Sequence, residues 1–400
     1  MKYIIVLGDG MADWRKGPLG NATPLEKANK PNIDRLAREG LVGKIATVDA
    51  GFAPSSDIAN LSIIGYDPKT CYTGRSSLEA LSMGVNVLEN DACLRTNLVT
   101  LGDEDKFEEK TMIDYSAGEI STEEAKEIIK TVNEFAGNGI IEFYPGVSYR
   151  HCAIIRDGNG MKLEFTPPHD ITGKRIGEFL PKGEGSDVLI QLIKQSVETL
   201  KNHPVNVERR AQGKREANAI WFWGMGTKPT LESFEEKYKL RGAMISATDL
   251  LRGIAVGAGM DVIKVKGATG RLDTDFLGKA KAAVKALRNH DYVYVHFEAP
   301  DECGHQGDAE GKIKSIEKID EVVGYIRNEL EKQCVDFCMA VLPDHLTPLS
   351  LRTHVGEPVP YVIYNSKRPA GCGLAYNEYE ADKGLYLSNG RALLQAMMKS

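Results

Sequence analysis

The chain has no Cys-x-x-Cys pair. Its seven cysteines, at 71, 93, 152, 303, 334, 338 and 372, are scattered and odd in number, which argues against a disulfide framework and for reduced thiols. No apolar stretch approaches membrane-spanning length, and the first strand starts at once, without a basic segment or signal core. The expected location is therefore cytoplasmic, with no membrane partner. Charge is little skewed: the formal net value of -6 leaves no basic footprint for nucleic acid. Gly-x-x-x-x-Gly-Lys-[Ser/Thr], Gly-x-Ser-x-Gly and His-Glu-x-x-His are all missing, and Gly8-Asp-Gly10 lacks the third glycine of a dinucleotide fingerprint.

What is present is an ordinary globular composition, 42% hydrophobic and 26% charged over 400 residues. That is enough for one α/β catalytic unit plus an insert. Three apolar runs end on metal-ligand residue types. Tyr3–Gly8 runs into Asp9. Asp291–Phe297, rich in Val and aromatics, delivers a Pro-Asp-Glu-Cys-Gly-His loop carrying Asp301 and His305. Met339–Leu342 leads through Pro343 to Asp344 and His345. One Asp-x-x-x-His pair more often holds a hydrogen-bonded structural histidine; three strands ending this way, where open α/β sheets place their chemistry, point to a metal site. His354, on a loop before the strand at 361–364, completes the set. Cys303 lies between two of these ligands, whereas Cys334 and Cys338 are expected to face a core.

Between the first and later clusters, Pro54-Ser55-Ser56 precedes a run that can coil into a helix. A serine there is either a cap or a nucleophile favoured by unpaired helix N–H groups. Arg75, near another helix start, either clamps a phosphate or caps a surface. From Asp91 the texture changes to strands near 93–101, 139–144 and 149–156 with an amphipathic helix at 122–134. This predicts an inserted α+β domain over residues 91–175, with 1–90 and 176–400 forming the catalytic domain. Its Arg95, Asn97, Arg150, His169 and Asp170 are substrate-binding candidates. Arg209, in a basic run, and Arg271, in the Gly-rich turn at 267–274, are two more. Repeated strand–helix alternation predicts a largely parallel sheet with helices on both faces.

Asp9, Asp301, His305, Asp344, His345 and His354 plus a serine are too many ligands for one ion. A mixed carboxylate and imidazole set suits Mn²⁺ or Zn²⁺ better than Mg²⁺. Two divalent ions can stabilise the entering and leaving oxygens of an in-line phosphoryl displacement, with a metal-activated serine as nucleophile. The expected partner is a small phosphorylated metabolite.

Asp9-Gly10, Ser56-Asp-Ile-Ala-Asn-Leu-Ser-Ile-Ile-Gly-Tyr-Asp-Pro68, Asp301-x-x-x-His305, Asp344-His345, and His354 with Pro358-Val-Pro360 resemble the archaeal-type cofactor-independent phosphoglycerate mutases of the alkaline phosphatase superfamily. The resemblance implies an alkaline-phosphatase-like fold and Ser56 as the nucleophile. It implies one metal held by Asp9, Ser56, Asp344 and His345, another by Asp301, His305 and His354, and no 2,3-bisphosphoglycerate cofactor. It also implies an insert that holds glycerate and shields the phosphoserine from water. Where such mutases read Arg-Gly-x-Gly, this chain has Trp223-Gly-Met-Gly226, similar to a bacterial branch proposed to be homoserine kinases. The alternative implied is a nucleotide-dependent phosphotransferase, and a third is a non-catalytic phosphometabolite-binding relative.

Overall fold

The computed structural model describes residues 1–136 and 139–400. The chain forms two compact units: Met1–Tyr72 with Thr230–Ser400, and Thr73–Pro229. Among the described residues no helix is long and apolar enough to cross a membrane.

The first unit is built on an eight-stranded sheet. Strand Lys2–Gly8 lies at its middle, flanked by Tyr292–Phe297 and Phe337–Leu342, both parallel to it. Strands Gly242–Ile245 and Asp261–Val262 extend one side in parallel. On the other, Val359–Asn365 runs antiparallel to both its neighbours, with Leu41–Ile45 and Leu385–Leu387 beyond. The expected largely parallel sheet is therefore observed, with one reversed strand. Continuous apolar sequence suits the central strands because both faces are covered. Ile4, Val6, Val295 and Val341 pack beneath Pro31–Glu39, Phe276–Ala286 and Ala309–Lys332. The opposite side meets Ser56–Ile64, Asp249–Gly257 and Ala392–Lys399.

Register decides where chemistry can gather. Gly8 pairs with Phe297 and Leu7 with Leu342, so three adjacent strands end at one level. The next few residues of each carry Asp9, Asp301 and Asp344.

The second unit is α+β. Central strand Ala92–Leu101 pairs antiparallel with Arg150–Ile155 on one side and Ala219–Thr227 on the other; Ile141–Tyr144 and Met112–Asp114 complete the sheet. This unit runs past the expected 91–175 at both ends. The strand at 219–227 is needed to satisfy the free edge of Ala92–Leu101, and Arg75–Ser82 packs against the same sheet.

Other expectations change locally. Pro-Asp-Glu-Cys-Gly-His is helix Ala299–Gln306 rather than a loop: Pro300 and two acids occupy its first turn, and Gly307 closes it at φ +72°. All seven cysteines are free thiols; Cys338 is buried as expected, but Cys334 is exposed, in a left-handed turn just past the long helix.

Candidate metal centre and its serine

Two ligand groups form at the strand ends of the first unit. Asp9, Asp344 and His345, all buried, offer atoms within 4.8 Å of one another; Asp301, His305 and His354 do the same. The helix at 299–306 explains the second group, since residues four apart share a face. His305 Nε2 lies 3.2 Å from Asp301 Oδ2, and His354 Nε2 lies 3.5 Å from Asp301 Oδ1. The groups adjoin, with the His345 and His354 rings stacked at 4.0 Å.

Ser56 opens helix Ser56–Ile64, and its Oγ lies 3.1 Å from His345 Nε2. Neither serine makes a side-chain cap bond. Ser55 occupies the N-cap without a side-chain cap bond and instead donates to the Asp57 carboxylate.

A divalent cation fits this donor set. Asp9 Oδ1 is buried without a hydrogen-bond partner, a costly state that an ion would relieve. Burial, reinforced by Asp344 and Asp301, pushes the Asp9 pKa well up, a cost that a neighbouring cation would offset. At Asp301 burial also opposes ionisation, but hydrogen bonds from His305 and His354 overcome it and hold the carboxyl well below its usual range. The reciprocal bond to Asp301 raises His305 to about 9, while burial lowers His345.

Sequence reading missed the residues that aim these ligands. His296 Nε2 lies 2.9 Å from Asp9 Oδ2, and its Nδ1 lies 3.2 Å from Ser246 Oγ. When a bound cation keeps Asp9 ionised, the carboxylate only accepts, so His296 Nε2–H donates to it and Nδ1 accepts from the Ser246 hydroxyl. Burial lowers His296 to about 3, keeping it neutral. Alternation along Tyr292–Phe297 was the available signal, because it puts His296 on the face opposite Val295. Asn60 donates to Asp344 Oδ2 at 2.9 Å and to the Ser56 carbonyl at 2.8 Å, tying Ser56 to Asp344. Thr347 donates to Asp301. His296→Phe should weaken Mn²⁺ binding to folded protein roughly 10–100-fold by freeing Asp9 to rotate; a titration curve matching wild type would refute that role.

The remaining candidates divide between the units, with Arg75 and Arg95 meeting at Glu79, and Arg95, Asn97 and His169 meeting at Trp223. Arg75, Arg95, Asn97, Arg150, His169 and Asp170 belong to the second unit and Arg271 to the first. Arg271 and Asp170 are exposed. Arg209 is a correction: it is 3% exposed, and its guanidinium is spent on Glu124 and the Arg215 and Ala117 carbonyls. With three of its five N–H donors committed inside the unit, it holds the fold.

Over residues 37–206 the sequence matches the family model described as 2,3-bisphosphoglycerate-independent phosphoglycerate mutase. Residues 179–345 match that of type I phosphodiesterase / nucleotide pyrophosphatase. A Geobacter sulfurreducens protein named "Probable 2,3-bisphosphoglycerate-independent phosphoglycerate mutase" is 49% identical, covering 100% of both chains. The chain belongs to the 2,3-bisphosphoglycerate-independent phosphoglycerate mutases. A mutase of this name from Methanosarcina barkeri is 47% identical over 96% of each chain. A solved Pyrococcus horikoshii protein superposes with a TM-score of 0.83 at 29% identity, covering 100% of this chain and 96% of its own. The homoserine kinase alternative finds no support among these mutase relatives.

Proposed function

We propose that this enzyme interconverts 2- and 3-phosphoglycerate through phospho-Ser56. The approach of Ser56 Oγ to His345 Nε2, at 3.1 Å, carries the reading, because it sets a hydroxyl at the edge of the candidate metal groups in a chain of the mutase family. Asp9, Ser56, Asp344 and His345 would hold one divalent ion and Asp301, His305 and His354 a second, with Mn²⁺ or Zn²⁺ suited to this nitrogen and oxygen set. Such ions, when bound, neutralise charge on the phosphoryl oxygens and lower the serine hydroxyl pKa.

Ser56 Oγ forms a bond to phosphorus as the bond to the substrate oxygen breaks, and the serine proton ends on that oxygen. Glycerate then turns, its other hydroxyl takes the phosphoryl group, and its proton returns to Ser56. Because the group leaves and returns through the chain's own serine, no bisphosphorylated cofactor is needed. Asn60 keeps the serine carbonyl and Asp344 in register throughout, and His296 holds Asp9. This glycolytic step agrees with the cytoplasmic location expected from the sequence.

Metal-loaded protein given 3-phosphoglycerate alone should form 2-phosphoglycerate, read by ³¹P NMR. Turnover only with homoserine and ATP would overturn the mutase reading while sparing the metal centre.

A further inference from the structure

Thr347 lies two residues past His345, where the segments that follow the three central strands converge. It is fully buried. Glycines from the other two segments press against it: a Cβ on Gly10, at φ +58°, would collide with Thr347 Oγ1, and one on Gly304 would stand 2.7 Å from its carbonyl oxygen. Lys312 Nζ holds that carbonyl at 2.7 Å. The backbone is thus gripped and the hydroxyl held in place.

That hydroxyl touches both ligand groups. It donates to Asp301 Oδ1 in one and lies 3.3 Å from His345 Nδ1 in the other. The direction of the second contact is decided at the far side of the ring. His345 Nε2 faces Ser56 Oγ at 3.1 Å, Asp344 Oδ2 at 3.4 Å and Asp9 Oδ1 at 3.5 Å, so it is the nitrogen turned toward an ion in that group. An imidazole bound to a cation through Nε2 carries its proton on Nδ1. Nδ1–H then donates to Thr347 Oγ1, whose single proton goes to Asp301. His305 offers a contrast, because its Nδ1 lies 3.0 Å from the Arg352 carbonyl, a partner that only accepts and passes nothing on.

A hydroxyl has one proton to give. With the His345 proton on Nε2 instead, Nδ1 is an acceptor and competes with Asp301 for the threonine. An ion held by His345 Nε2 ends that competition and leaves Asp301 as the sole acceptor. Asp301 is then steadied for the other ion, and such supporting contacts govern affinity by roughly 10–100-fold.

We propose that Thr347 is a positioning residue that couples the two groups, so that through its hydroxyl a divalent cation on either one favours a cation on the other. The coupling rests on the two-ion centre proposed above. Linkage makes it reciprocal.

The test is calorimetric titration of metal-free, full-length protein with Mn²⁺. The two-ion binding constant is divided by the product of the single-group constants, measured with Asp9→Asn disabling one group and His305→Ala the other. Neighbouring dications also repel each other, so this coupling factor is compared between backgrounds rather than with unity. Thr347→Val, which keeps the shape and loses the hydroxyl, should lower the factor about tenfold. Thr347→Ser keeps the hydroxyl and should stay within about threefold of wild type. A threonine that only supports the fold would weaken the single-group constants and leave the factor alone. A fall of less than about threefold in Thr347→Val, or an equal fall in Thr347→Ser, therefore overturns the proposal, and leaves the metal centre standing if two ions still bind. Wild type that binds fewer than two ions ends both. Folding is checked by circular dichroism; should Thr347→Val not fold, ¹⁵N NMR of the Zn²⁺-loaded wild type decides. His345 protonated on Nδ1 supports the relay, and His345 protonated on Nε2 overturns it.

Discussion

Ser56→Ala is expected to lower mutase turnover roughly 10⁴-fold or more, the scale on which loss of a covalent nucleophile acts. Its Oγ is the hydroxyl seen next to His345, and no other hydroxyl of the 55–56 pair takes that position. Stability should move little, within about 0.5 kcal/mol, because Ser56 opens the helix without capping it. The six carboxylate and imidazole groups are untouched, so the variant should still bind two divalent ions per chain by elemental analysis. Ser55→Ala is the control: its hydroxyl serves Asp57, and activity should survive. A Ser56→Ala enzyme within tenfold of wild type, or a dead Ser55→Ala, would show that the nucleophile lies elsewhere.

Lys312→Met should cost about 3–5 kcal/mol of folding stability, the penalty for stranding a buried charge. Lys312 is 0% exposed. Its ammonium donates to Asp13 Oδ2 at 2.9 Å, the Thr347 carbonyl at 2.7 Å and the Ala12 carbonyl at 3.2 Å, which uses all three protons. Methionine fills the space but orphans both carbonyls and leaves Asp13 without its cation. Glu378 would not compensate: burial pushes its pKa up to about 7, and it already accepts from the Asp13 N–H and the Thr23 hydroxyl. Denaturant unfolding should show a lower midpoint at unchanged slope. Combined with Asp13→Asn, the loss should be smaller than the sum, as residues in contact couple. A single-variant loss under about 1 kcal/mol would mean the pair is solvated or dispensable.

The residues of the two candidate metal groups were legible from residue type and position. Apolar runs had to be strands, and a strand ending in Asp or Asp-His is a local feature that survives folding. The helix at 299–306 was not read, although Pro300, Glu302 and Gly307 mark its ends, because metal-ligand spacing drew the segment toward a loop. The second unit's limits were missed for a different reason. Whether the strand at 219–227 extends one sheet or another depends on which edge lacks a partner, a pairing 120 residues away in sequence. Arg209 looked like a surface cation because the sequence shows its basic neighbours and hides Glu124.

By itself, the amino-acid order determined which segments are strands, that several end in oxygen and nitrogen donors, and that a serine opens a helix. These follow from side-chain period and local backbone chemistry. Only the tertiary structure decided that three of those ends stand level in adjacent strands, that His296 and Asn60 steady the ligands, and that Glu79 sits among arginines. Such facts depend on contacts between residues tens to hundreds of positions apart, and no local preference encodes a partner at that distance.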